Sequence, residues 1–248
     1  MALPQCSQAQ LDAFYAAGTY WNDTVGETAV QTLHERNQSR HRVRLTLELL
    51  RRKKQLRVLD VGAGHGWTGV WLEQLAPGAL ASFEFLEPDD SRSAEILRRP
   101  RRFLTSRVAS LDRASGGYDL VFLNHVLEHF ADPLACVTQV TALLAPEGIA
   151  YFETPHADYT YKADVFPHTW FFTPPALAGL GQRAGVRQLL LESFGRWPTS
   201  SPIDLFSRAA YRASATLGHA GLSAYFDDRV WRYSAADNGI WLRWVIAR

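Results

Sequence analysis

The sequence predicts an α/β domain on a seven-stranded, mostly parallel sheet with helices on both faces, and three observations carry that reading. From residue 56 onward, short apolar and β-branched runs alternate with segments of helical period, the pattern of a parallel sheet with crossover helices. One run, YDLVFLNHV over 118–126, is apolar almost throughout, as a strand covered on both faces must be. The 248 residues, 47% hydrophobic and 21% charged, suffice for one large core without metal or disulfide staples.

Each element has its own signal. Residues 27–50 set Val30, Leu33, Val43, Leu45, Leu47, Leu49 and Leu50 among Glu, Gln, Arg and His, which reads as one or two amphipathic helices; 1–50 is therefore expected to be an N-terminal helical segment, with the main domain over 51–248. LRVLDV (56–61) is the first strand, and WTGVWLEQL (67–75) a helix closed by Pro77-Gly78. ALASFEFLE (79–87) is the second strand, and Asp89 or Asp90 caps a helix to about Arg99. A weaker strand spans 103–109, and 118–126 is the fourth. Asp132-Pro133 is an N-cap followed by proline at the first helical position, opening a helix through Leu144 that stops at Pro146-Glu147-Gly148. GIAYFET (148–154) is the fifth strand. An aromatic-rich loop follows, then a helix over Pro174 to Ala184 with Gly185 as its stop. VRQLLLESF (186–194) and NGIWLRWVIAR (238–248) are the last strands, with a helical insertion over about 202–235 between them.

Composition narrows the function. Twenty-six Lys+Arg against 25 Asp+Glu leave no basic excess for a nucleic-acid partner. Cys6 and Cys136 cannot make a disulfide framework, the first residues lack the basic and apolar regions of a signal peptide, and no apolar run approaches the roughly 20 residues that span a bilayer; a cytoplasmic protein without a membrane partner is expected. The basic run Arg98, Arg99, Arg101 and Arg102 reads as a solvated helix end.

The sharpest motif is VLDVGAGHGWTGV (58–70): a buried strand, an acid at its end, three alternating glycines, then a helix. Gly62, Gly64 and Gly66 let the backbone turn tightly and approach a ligand. Asp60, at the carboxyl end of a buried strand, needs a partner, either a cationic ligand amino group or the loop's own N–H groups. Glu87 ends the second strand, where an acid can accept both hydroxyls of a ribose. Together these describe a nucleoside site. Gly64-x-Gly66-x-x-Gly69 also fits the dinucleotide pattern, but that register leaves Gly62, Ala63 and Asp60 without a role.

With these motifs the chain resembles the class I S-adenosylmethionine-dependent methyltransferases, which have a Rossmann-like fold. FLEP (85–88), YDLVFLNHVLEHFADP (118–133), EGIAYFETPH (147–156) and HTWFFTPPALAGLGQRAGV (168–186) are similar to the family's second-strand end, fourth strand and loop, fifth strand, and the helix before its sixth. The resemblance covers about 56–194, and the last strand fits the family's reversed terminal hairpin. It implies S-adenosyl-L-methionine as cofactor, with Asp60 and the turn Gly62, Ala63, Gly64 and Gly66 at its methionine end, Glu87 on the ribose with Pro88 beside it, and Ser110, Leu111 or Asp112 near the adenine, where the usual acid has no obvious counterpart. It also places Asn124 and His125 beside the transferable methyl.

The acceptor side is expected between the ends of the fourth and fifth strands and the loop 155–173, with Tyr20 and Trp21 closing over it. His125 and His168 are the candidate proton acceptors near neutral pH, each weighed against a structural hydrogen bond. Glu128 and His129 are expected to cap a helix start, and the histidines lack the sequence spacing of metal ligands, so no metal is expected. The reading is methyl transfer to a small-molecule acceptor. Its alternatives are an NAD(P)-dependent oxidoreductase and a non-catalytic binding subunit of the same fold.

Overall fold

The computed structural model describes residues 7–17, 29–51, 53–157, 167–195 and 239–248, together with Phe206, Ala209 and Ala213. In chain order the elements are α1 (Gln8–Ala16), α2 (Ala29–Leu49), β1 (Leu56–Val61), α3 (Trp67–Leu75), β2 (Leu80–Leu86), α4 (Asp90–Arg98), β3 (Leu104–Arg107), β4 (Tyr118–Asn124), α5 (Pro133–Leu143), β5 (Leu144–Pro155), α6 (Pro174–Ala184), β6 (Arg187–Phe194) and β7 (Trp241–Ala247), with 3₁₀ turns at Leu111–Arg113 and Leu127–His129. The expected insertion over about 202–235 lies outside the described residues, those three aside, as do Tyr20 and Trp21.

The seven strands form one sheet in the order β3, β2, β1, β4, β5, β7, β6. β1 to β5 are parallel, and β7 runs antiparallel between β5 and β6. Successive side chains on a strand point to opposite faces, and both faces are apolar. One face sets Val58, Phe83, Phe85 and Phe122 against Val43 of α2, Leu72 of α3 and Ile96 of α4. The other sets Leu59, Val121, Phe152 and Trp244 against Val137 and Val140 of α5 and Leu177 of α6. Such two-sided burial is why the strands read as continuous apolar runs. Among the described residues, no helix is long and apolar enough to cross a membrane.

The caps follow the sequence. Asp89 accepts from the Ser91 and Arg92 N–H groups, Asp132 accepts from Ala135 N–H at 3.0 Å, and Gly185 ends α6 at φ +68°. Asp132→Ala is expected to cost about 1 kcal/mol in urea unfolding and Asp132→Asn only a few tenths; equal stability of all three chains would show that the cap contributes nothing.

Three expectations change. Pro146 and Gly148 do not end the helix: β5 begins at Leu144, and the β4–β5 register jumps between Tyr118↔Leu144 and Leu120↔Ile149. A Cβ on Gly148 would stand 2.4 Å from the Tyr118 carbonyl oxygen, so the turn-like residues mark a close approach of two strands. The arginine run is not merely solvated, because Arg101 pairs with Glu73 of α3 and Arg99 lies over the Trp67 ring, 4.7 Å from its centroid. Finally, the inner face of α2 is largely polar: Asn37, Gln38, Ser39, Arg42 and Thr46 are buried beside Val43, while Leu49 is exposed.

Candidate active site

Strand order reverses between β1 and β4, and open α/β sheets leave a crevice beyond the strand ends at such a point. A cavity of about 540 Å³ opens there. Its floor is Asp60 to Gly64 and Leu86 to Pro88, its far wall Asn124, His125, Val126 and Trp241, and its cover Tyr15 of α1 with Gln38, Ser39 and Arg42 of α2.

Of the residues expected to bind the cofactor, Asp60, Gly62, Ala63, Gly64, Glu87, Pro88, Asn124 and His125 line this one cavity. Gly62, Gly64 and Gly66 have φ of +69°, +52° and +66°. Gly66 is not on the wall; it caps α3, and a Cβ there would lie 2.8 Å from Ile96 Cγ1, so this glycine serves the packing of α3 on α4. Ser110 and Leu111 are also off the described wall: Leu111 is buried in the apolar core and Ser110 opens the 3₁₀ turn that carries it. An apolar side chain next to Val108 goes to the core rather than to a polar cleft.

The turn spends its N–H groups on its surroundings. Gly62 and Ala63 donate to the Leu86 carbonyl, Gly64 donates to Glu87 Oε2 at 2.7 Å, and Gly66 donates to the Ala63 carbonyl. Glu87 Oε1 accepts from Asp89 N–H at 3.0 Å, and of the roughly four lone-pair sites on the carboxylate two are thus used. Asp60 is left over. It is 1% exposed, and apart from the neighbouring Thr68 hydroxyl the described residues offer its carboxylate oxygens no donor. Burial pushes it up to about 7, with the Thr68 hydroxyl and the Arg42 charge partly opposing. Of its two expected partners, the loop N–H groups are therefore already engaged, and a cationic ligand group is the chemistry that fits. Asn124 Oδ1 is a second buried acceptor without a donor among the described residues.

On the far wall His125 has φ +54°, held by its N–H to the Glu153 carbonyl at 2.8 Å. Its Nε2 lies 3.1 Å from Glu153 Oε1 and its Nδ1 3.5 Å from Glu128 Oε1. Although burial opposes the charge, the two carboxylates push His125 up to about 9. Two carboxylates at the ring favour its protonated form over the neutral ring that the expected proton acceptor requires. Glu153 in turn is held by Arg42, through Nε at 3.0 Å and through Nη2, and by the Tyr151 hydroxyl at 2.8 Å. Arg42 and His125 keep Glu153 well below the usual carboxylate range despite its burial.

Glu128 and His129 do not cap a helix. They sit in the 3₁₀ turn after β4, Glu128 fully buried facing His125, and His129 Nδ1 2.7 Å from the Tyr15 hydroxyl. His168 lines the cavity beside His129, with ring centroids 4.9 Å apart. One donor atom each from Glu128, His129 and His168 lie within 4.8 Å of one another, so folding assembles a set of metal-ligand type that sequence spacing did not suggest. His156 is structural, its Nδ1 on the Gly239 carbonyl at 2.8 Å. Sequence reasoning missed Arg42, Glu153 and Tyr15. Glu153 carried a signal, an acid inside the apolar run GIAYFET, whereas Arg42 and Tyr15 carried none.

The chain is similar to known methyltransferases. It is 30% identical over 156 residues to the ubiquinone biosynthesis O-methyltransferase of Bordetella avium (strain 197N), a match covering 59% of this chain and 61% of that one. The fold is shared, at 14% identity and a TM-score of 0.61, with a chain of the Haloferax volcanii complex between the Trm112 methyltransferase activator and a methyltransferase, over 96% of this chain and 97% of that one. It is shared also with an S-adenosylmethionine-dependent methyltransferase of Mesorhizobium loti, at 16% identity and a TM-score of 0.54, over 81% and 96%. Residues 33–191 match the methyltransferase-domain family, and the chain, which carries the sheet and glycine turn described above, belongs to it.

Proposed function

We propose that the chain transfers the methyl group of S-adenosylmethionine to a small-molecule acceptor in the cytoplasm. The observation that carries this reading is Asp60, a buried carboxylate on the cavity floor to which the described residues offer no donor beyond the Thr68 hydroxyl. The amino group of the methionyl moiety supplies the missing charge and hydrogen bonds. Glu87 keeps two lone-pair sites for ribose hydroxyls, and Gly62 to Gly64 bring backbone close to the ligand. The bound cofactor supplies an electrophilic methyl carbon; the chain's work is to align the acceptor with it and to keep water out. Tyr15, Gln38 and Ser39 form the cover, and His125 presents a fixed positive edge rather than a base. Of the two expected proton acceptors, His168 remains on the wall, beside His65 and His129.

The test is calorimetry with S-adenosylhomocysteine and with NAD(P). Wild type should bind the first and not the second, and Asp60→Asn should bind at least ~10-fold more weakly, as expected for loss of a charge-assisted hydrogen bond. Equal affinity in wild type and variant, or preference for NAD(P), would refute the assignment. The pH dependence has a definite sign. With Asp60 near 7, only the ionised fraction pairs with the ammonium, so affinity should rise about tenfold from about pH 6 to about pH 8 in wild type and stay flat in Asp60→Asn. For the ligand-free chain the effect is opposite. The folded carboxyl holds its proton to higher pH than the unfolded one, so Asp60 costs stability as pH rises from the ordinary carboxylate range to about 7.

A further inference from the structure

We propose that Glu128, His129 and His168 form a site for one divalent cation of the zinc class on the acceptor side of the cavity. Two imidazoles and a carboxylate are the protein donors of open zinc sites, which keep coordination positions for other ligands. Donor atoms of the three residues lie within 4.8 Å of one another. Bonds of about 2.0–2.1 Å in a tetrahedral site separate ligands by roughly 3.3 Å, so side-chain shifts on the order of an ångström close it.

Three further observations support a built site. Glu128 is 1% exposed, and among the described residues its carboxylate has the His125 ion pair at 3.5 Å and no closer hydrogen bond, which leaves an oxygen with unused ligand capacity. His129 is oriented from behind. Its Nδ1 faces the Pro167 carbonyl at 3.3 Å and the Tyr15 hydroxyl at 2.7 Å. With Nδ1 donating to that carbonyl, the ring offers Nε2 to a cation, which is how ligand histidines are commonly fixed. The third ligand is pinned to the first: the N–H groups of Thr169 and Trp170 donate to the Glu128 carbonyl at 2.9 and 3.2 Å, and the Thr169 hydroxyl donates to the same oxygen at 3.0 Å. His168 is thereby anchored next to the 3₁₀ turn although 39 positions separate it from His129.

His129 and His168 line the cavity that holds Asp60 and Asn124, so open positions on the cation would select an acceptor with an oxygen donor, a hydroxyl or a carboxylate. That last clause rests on the proposed methyl transfer; the cation site does not.

The experiment strips the full chain with chelator and titrates it with Co²⁺, read by visible absorption, and with Zn²⁺, read by calorimetry, measuring S-adenosylhomocysteine affinity on the same samples. One equivalent of cation should bind, with at least about 100-fold weaker binding in His168→Ala and Glu128→Gln and about 10-fold weaker in Tyr15→Phe, which removes only the orienting hydroxyl. Unchanged S-adenosylhomocysteine affinity in His168→Ala would show that the loss is not misfolding. Wild type that takes up no cation, or His168→Ala that binds as tightly as wild type, would overturn the site. Cation binding without S-adenosylhomocysteine binding would leave the site standing and remove the acceptor clause alone.

Discussion

Arg42→Met is expected to destabilise the chain by about 3 kcal/mol, more than any single-cap or surface change. Arg42 and Glu153 are both buried, at 7% and 1% exposure, and the guanidinium meets both carboxylate oxygens. Breaking one side of a buried pair typically costs about 3–5 kcal/mol because the other charge stays behind without compensation. The lower end applies here, since His125 and the Tyr151 hydroxyl remain on Glu153. The double variant Arg42→Met/Glu153→Gln should recover more than half of the loss, because an amide needs no counter-charge and keeps the Tyr151 contact. Urea unfolding at constant m checks both, and a single-variant loss under about 1 kcal/mol would mean that the pair is not what fastens α2 to β5. The consequence extends to the site, because the same helix sends Glu35, Gln38 and Ser39 to the cavity wall.

This pair marks where sequence reading stopped. Strands and caps were legible because each rests on local chemistry: continuous apolar runs for two-sided burial, Asp132-Pro133 and Asp89 for helix starts, Gly185 for a left-handed stop. The cavity floor was legible for the same reason, since an acid at the end of an apolar strand is costly and so conspicuous. Helix α2 was misread because its inward residues are chosen for the cavity rather than for the core; Gln38 and Arg42 look solvated until Glu153 and the open crevice stand opposite them. That His129 and His168 meet at Glu128 could not be read from spacing, which reports only on residues that share a local element. A loop brings His168 in, fastened by backbone hydrogen bonds that leave no trace in residue types. Among the glycines, sequence could not separate Gly62, which faces Val126 and the cavity, from Gly66, which faces Ile96.

That distinction yields the second large effect. Gly62→Val should remove S-adenosylhomocysteine binding and destabilise the chain by several kcal/mol, whereas Gly185→Val should cost about 1–2 kcal/mol and leave binding unchanged. Both glycines have φ near +69°, so both variants suffer the left-handed backbone penalty of about 1–2 kcal/mol. Only Gly62 adds a collision: its Cβ would stand 2.4 Å from Val126 Cγ2, while a Cβ on Gly185 meets nothing within 4 Å. Val126 is β-branched and stiff at χ1, and its neighbour His125 is tied by backbone to Glu153, so the far wall cannot yield without moving Asn124 and His125 as well. Overpacking of this kind adds about 1–3 kcal/mol to the strain. The branched side chain would also stand where the turn and Asp60 present themselves to the ligand. If Gly62→Val and Gly185→Val lost stability equally and both still bound S-adenosylhomocysteine, the close approach of the turn to Val126 would have no bearing on the site, and the glycines would serve only to reverse the chain between β1 and α3.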